Sequence, residues 1–139
     1  MYLIAFPLLL LPFVLYNMVA FLLNMDFSTP LFDVPLLSGR SMTIDTGDLL
    51  VLFGIVLLYV EILKATRLSS KAIMDHVLSF VLFIAMVIEF IAVPPAATST
   101  FLMLMALSFV DVIGGFTITI RTAQRDIAFD RSEHMASNI

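Results

Sequence analysis

Four long apolar runs dominate this sequence and constrain its fold more than any other feature. The first, Leu3 to Leu23, is uninterrupted by charge. At about 1.5 Å per residue it is long enough to cross a hydrocarbon core of about 30 Å. Further runs follow at Leu49–Leu63, from Lys71 to Val93, and from Phe101 to Ile120. Backbone amides cannot be left unpaired in lipid, so apolar runs of this length imply helices. The chain therefore reads as an all-α membrane protein, a four-transmembrane-helix bundle with helices over about 3–24, 46–66, 71–93 and 99–124. Composition agrees: 61% of the 139 residues are hydrophobic and 13% charged, against roughly 25% charged in a soluble domain.

The first run lacks the basic leader and short apolar core of a secretory signal, so it is expected to be retained as a helix. Pro7 and Pro12 fall in its first half and predict a bent or late-starting helix. Residues 25–45 form a polar connection. Within it, Phe32, Val34 and Leu36 alternate with Asp33 and Pro35, and Met42 and Ile44 alternate with Ser41, Thr43 and Asp45. Two alternating segments around Ser38-Gly39-Arg40 suggest a small external β-hairpin. Pro35 would confine its strand to an edge. A loop dipping Leu36 and Leu37 into lipid is the competing reading. Asp45 or Thr46 can cap the second helix, with Asp48 suited to its positive end. Ser69-Ser70 reads as turn and cap before the third helix, which Pro94-Pro95 stops. Residues 127–139 read as a polar, fraying tail.

Lys64, Arg67 and Lys71 lie between helices two and three, and Arg121 and Arg125 follow helix four. The other two connections carry Arg40 alone. The positive-inside rule then places both termini in the cytoplasm. Cysteine is absent, which excludes disulfides, thiolate metal sites and thiol catalysis. Two distant histidines make no metal site, and the lone His76 is weak evidence for a heme. No cofactor is expected. Nothing basic enough for nucleic acid is present.

The stretch GDLLVLFGIVLLYVEILKATR, and the stretch from Asp75-His76 through VIEFIAVPPAATSTF to DVIGGFTITIRTAQRD, resemble a group of small uncharacterised four-helix bacterial inner-membrane proteins. The resemblance covers roughly residues 47–126. It implies a multi-pass protein of the bacterial inner membrane and carries no activity, cofactor or site residue.

Asp111 falls near the middle of the fourth run, where an ionised carboxylate costs about 2.5–3.5 kcal/mol even on lenient scales. Its helical neighbours include Ser108, Gly114 and Gly115, a small-residue face that another helix can approach closely. The functional reading is a protonatable or cation-binding site. The structural reading, a neutral or hydrogen-bonded Asp joining two helices, outweighs it. Glu89 lies nearer the external end of helix three, roughly 7–8 Å from Asp111 in depth by residue rise. Asn17 matches Glu89 in depth and is its preferred partner, with a bond to its own helix backbone as the alternative. Glu61 is expected in a solvated ion pair with Lys64. Asp75 and His76 are expected at the interface, bonded to headgroups or water.

The chain has no HExxH, GxSxG or phosphate-binding glycine loop, so a non-enzymatic role is expected. A structural or accessory protein, self-associating or docked on a larger membrane complex, ranks first. A small proton- or cation-linked transporter or channel using Asp111 and Glu89 ranks second, because its polar stripe is broken. A lipid-directed enzyme using Asp75-His76 is a distant third.

Overall fold

The computed structural model describes residues 6–67 and 70–139, without the side chains of Ser70 and Lys71. The expected cap at Ser69-Ser70, the start of the first apolar run and the Lys71 side chain lie outside this set. Helix α1 spans Leu10–Asn17 and widens directly into a π-helical turn, Met18–Leu22. It starts well after Leu3, as Pro7 would require. Pro12 sits in the first turn of α1, where its missing amide has no intrahelical acceptor to lose. Asn24, at φ 46°, ends the segment in the left-handed conformation that asparagine tolerates.

The 13 residues of Leu10–Leu22 are too short to cross a bilayer alone. The expectation of a first spanning helix over 3–24 is therefore corrected for the described residues. Three helices are long and apolar enough to cross: α2, Thr46–Ala65; α3, a candidate span over Ala72–Ala92 and helical from Ser70; and α4, Ser99–Ser137.

The connection after α1 is a hairpin rather than a dipping loop. Strands β1, Pro30–Pro35, and β2, Ser41–Asp45, pair antiparallel, with Asp33 opposite Thr43 and Val34 opposite Met42. The pairing slips once between Pro30 and Phe32, which resembles a β-bulge. Gly39 takes φ 80°, and its amide donates to the Leu36 carbonyl at 3.0 Å. Leu37 stands fully exposed at the tip.

β2 runs straight into α2 through a reciprocal cap. The Asp45 carboxylate accepts the Asp48 amide at 2.8 Å, and the Asp48 carboxylate accepts the Asp45 amide at 3.2 Å. Gly47 lets this end approach α4: a Cβ there would stand 2.3 Å from Thr100 Oγ1. The Thr98 hydroxyl caps α4 by accepting the Phe101 amide at 3.1 Å.

Helix α4 packs on α2 and α3, and α1 leans on α2. The core runs along this seam through Leu50, Leu58, Leu82, Met86, Phe101 and Leu104. At the hairpin end Tyr16 is wholly buried, stacked on Phe27 at 4.2 Å and edge-on to Phe101 at 4.9 Å. Its hydroxyl is bonded to both the Pro95 carbonyl and Thr98 Oγ1 at 2.7 Å. Outside the seam, apolar side chains such as Val56, Ile73, Ile88 and Val110 face outward.

The tail expected to fray over 127–139 is helical to Ser137, so that boundary is corrected as well. No proline or glycine follows Gly115, and Ala, Gln, Arg and Met are strong helix formers. Residues from Ala123 onward are exposed, so the extension is an arm beyond the bundle.

Candidate functional site

Where α2 ends and α3 begins, ionisable side chains from three helices turn inward. On α2, Glu61 is one turn before the C-terminus and only 3% exposed. Lys64 follows at i+3 and reaches its carboxylate at 3.1 Å. On α3, Asp75 and Ser79 share a face at i, i+4, and both are buried, as is His76. On α4, Ser108, Asp111 and Gly115 recur at i, i+3 and i+7, the spacing of one helix face, and all three are buried.

Lys64 is the hub. Besides Glu61, its ammonium pairs with Asp75 Oδ2 at 3.2 Å and donates to the Phe6 carbonyl at 2.9 Å. Glu61 Oε1 also accepts the Leu8 amide. The segment before α1 is thus tied across the bottom of the cluster. The Ser79 side chain lies beside the Asp111 carboxyl. His76 lies over Gly115, where a Cβ would stand 2.7 Å from its Nδ1, and its Nε2 bonds Thr119 Oγ1 at 2.6 Å.

The cluster is polar but incompletely bonded. Asp75 Oδ1, Asp111 Oδ2 and Ser108 Oγ are buried oxygens with no partner among the described residues. Such atoms are rare in folded proteins and call for a physical reason. Among the described side chains, Glu61 and Asp75 share one lysine, and Asp111 adds a third carboxyl within range of their charges. In a low-dielectric interior that surplus of negative charge is costly unless protons or a cation offset it. Among the described residues no three acids or histidines converge as a metal-ligand set.

Several sequence expectations are redrawn by this geometry. The Glu61–Lys64 pair forms, with Glu61 buried and Lys64 partly exposed rather than the pair fully solvated. Asp75 and His76 face the bundle core rather than headgroups. The small-residue face at Ser108 and Gly115 is covered by the chain's own α3 through His76. Gly114 is off that face, and a Cβ added to it would meet nothing within 4 Å. The face therefore gives no reason to invoke a second copy. The sequence leaves the Thr119 hydroxyl to bond within its helix or between helices, and it bonds between them, to His76; Ser79 does not stand out in the sequence. The i+4 relation of Ser79 to Asp75 is the signal that points to it.

Glu89 and Asn17 lie apart from the cluster, towards the hairpin end. The Asn17 amide donates to Glu89 Oε2 at 3.4 Å and to the Phe13 carbonyl at 3.1 Å, so both of its anticipated bonds are present. Buried Leu82, Met86 and Leu104 separate this pair from Asp111.

No family model, curated protein or solved structure matches the chain. The chemistry of the cluster itself must therefore indicate what it does.

Proposed function

We propose that this chain is a multi-pass integral membrane protein that binds and releases protons at the Glu61–Lys64–Asp75–Asp111 cluster, as part of proton-linked transport. The observation that carries this reading is Asp111: 5% exposed, with Oδ2 unpartnered, beside two other acids that share one lysine. A carboxyl in that position is readily stabilised by a proton, and a proton needs no ligand set. The cluster lies nearer the end where α2 turns into α3. By residue rise, Glu61 and Asp75 are about 24 Å from the hairpin end. Uptake from that side, taken as cytoplasmic from Lys64 and Arg67, fits this depth. The apolar layer of Leu82, Met86 and Leu104 closes the cluster from the hairpin side, so transport would need that layer to open.

The sequence alone ranks an accessory role first because its polar residues are scattered. Their convergence from three helices favours the proton-linked reading over it. The accessory reading keeps one observation of its own: the exposed α4 arm beyond Ala123, which a larger complex could grip. Location in a bacterial inner membrane is part of the same proposal.

Reconstitution in vesicles tests it. Under an imposed pH gradient, the wild-type protein should carry protons and Asp111→Asn should not. Absence of flux from wild type, with Asp111→Asn changing only association with other proteins, would sink the proton-linked reading in favour of the accessory one.

A further inference from the structure

A second polar feature lies at the opposite end and plays no part in the cluster. Between the π-helical turn after α1 and the last turns of α3 runs an open groove of about 480 Å³, lined by Asn17, Phe21, Ala85, Ile88, Glu89 and Val93. Its walls are apolar apart from Asn17 and Glu89. Phe21 and Ile88 are exposed on the outer surface, so the groove opens sideways, where lipid would lie.

Glu89 is poorly satisfied where it stands. Among the described residues its only side-chain bond is the long one from Asn17, and Oε1 has no partner. Neither ion pair among the described residues involves it. It is three residues from the end of α3 at Ala92, about 4.5 Å by residue rise. That is the hairpin-side end of the candidate span rather than its middle. The widening of α1 to π geometry begins at Met18, directly after Asn17, and π turns inside helices often mark functional positions.

We infer that this groove holds one lipid of the hairpin-side leaflet whose headgroup carries a primary ammonium, of the ethanolamine type. The ammonium offers three donors and a positive charge to a half-buried carboxylate that lacks both. A charge-assisted bond of this kind is the strongest available to Glu89. The acyl chains would lie along Phe21, Ile88 and Val93. A second copy of the chain would cover the apolar walls equally well, and among the described residues the hairpin end offers it Arg40 alone as a cation, on the exposed β1–β2 turn. A choline headgroup carries the charge without the donors.

Native mass spectrometry of the full chain released from mixed micelles decides the matter. With equal phosphatidylethanolamine, phosphatidylcholine and phosphatidylglycerol present, wild type should retain the ethanolamine lipid about tenfold over the choline lipid, the ratio expected for one charge-assisted bond. Glu89→Gln should bring that ratio to about one. Equal retention of the two lipids by wild type would overturn the proposal, and this arm needs no variant to fold. A ratio unchanged in folded Glu89→Gln would overturn it too. Displacement of the lipid by free ethanolamine at millimolar concentration would reassign the groove to a soluble amine. A dimer that forms as lipid is stripped, with no lipid preference, would assign it to a second copy.

Discussion

In the aromatic joint at the hairpin end one polar side chain enters the core, and its bonding is complete. Tyr16 is buried between two aromatic rings, and its hydroxyl is met by the Pro95 carbonyl and Thr98. At the α2–α3 end several polar side chains enter, and three of their oxygens are left without partners. The first arrangement fixes a joint: it ties α1 to the turn before α4. The second holds more negative charge than its one lysine can answer. A bundle that needed only to be stable could have filled that volume with leucine, since apolar replacement of buried ion pairs is often neutral or stabilising. The contrast separates a joint whose polar bonding is closed, around Tyr16, from a cluster that is left with something to bind.

Removing the hub should have the largest effect. Lys64→Met keeps the length of the side chain and deletes the cation, leaving Glu61 and Asp75 facing each other. Breaking a buried pair in this way costs about 3 kcal/mol or more. The variant should unfold at clearly lower denaturant concentration than wild type in detergent titrations followed by circular dichroism at pH 8. Acidification protonates the stranded carboxylates, so the gap between variant and wild type should narrow as the pH falls. A constant gap from pH 8 to pH 5 would mean that the cluster is held by packing, and the contrast between the two ends would fail.

How much of this is legible in the sequence depends on the distance over which residues act. The hairpin follows from alternation within about ten residues, and the α2 cap from Asp45 and Asp48 three apart. The inward turn of Asp75 and His76 does not follow, because their partners Lys64 and Thr119 belong to other helices. Sequence position alone places Asp75 and His76 at a helix start, where water or headgroups are the default partners. Glu61 illustrates the same limit from the other side: its i+3 lysine is visible, but its burial depends on the segment at Phe6 to Leu9 folding under it. The first helix fails for a different reason. Hydropathy measures whether a segment tolerates lipid, whereas Pro7 and Asn24 decide where a helix can start and stop.

Two adjacent glycines sharpen the comparison on a single helix. Gly115 supports the His76 ring, and a methyl there would come within 2.7 Å of Nδ1. Gly115→Ala should displace the ring, break its bond to Thr119 and cost about 2 kcal/mol, in the range for overpacking. Gly114→Ala meets nothing within 4 Å and should change stability by less than about 1 kcal/mol, with helix propensity favouring alanine. Parallel denaturation of the two variants reads the difference. Equal effects would show that His76 does not rest on α4 as described.

A smaller effect than that of Gly115→Ala is expected at the Tyr16 joint. Tyr16→Phe retains the ring, and with it the stacking on Phe27 and the edge contact with Phe101. It deletes only the hydroxyl. Thr98 keeps its role as the α4 cap, because its oxygen still accepts the Phe101 amide. The Pro95 carbonyl loses a donor, but it lies at a turn close to the bundle end. A net cost of about 1 kcal/mol is expected, the usual value for one neutral hydrogen bond. Because no charge is stranded, that cost should be the same at pH 5 and pH 8. The absence of pH dependence, set against its presence in Lys64→Met, separates a joint from a proton site. If Tyr16→Phe proved as damaging as Lys64→Met, the bundle would be organised around its aromatic end, and the polar cluster would lose its claim to be the special part of the fold.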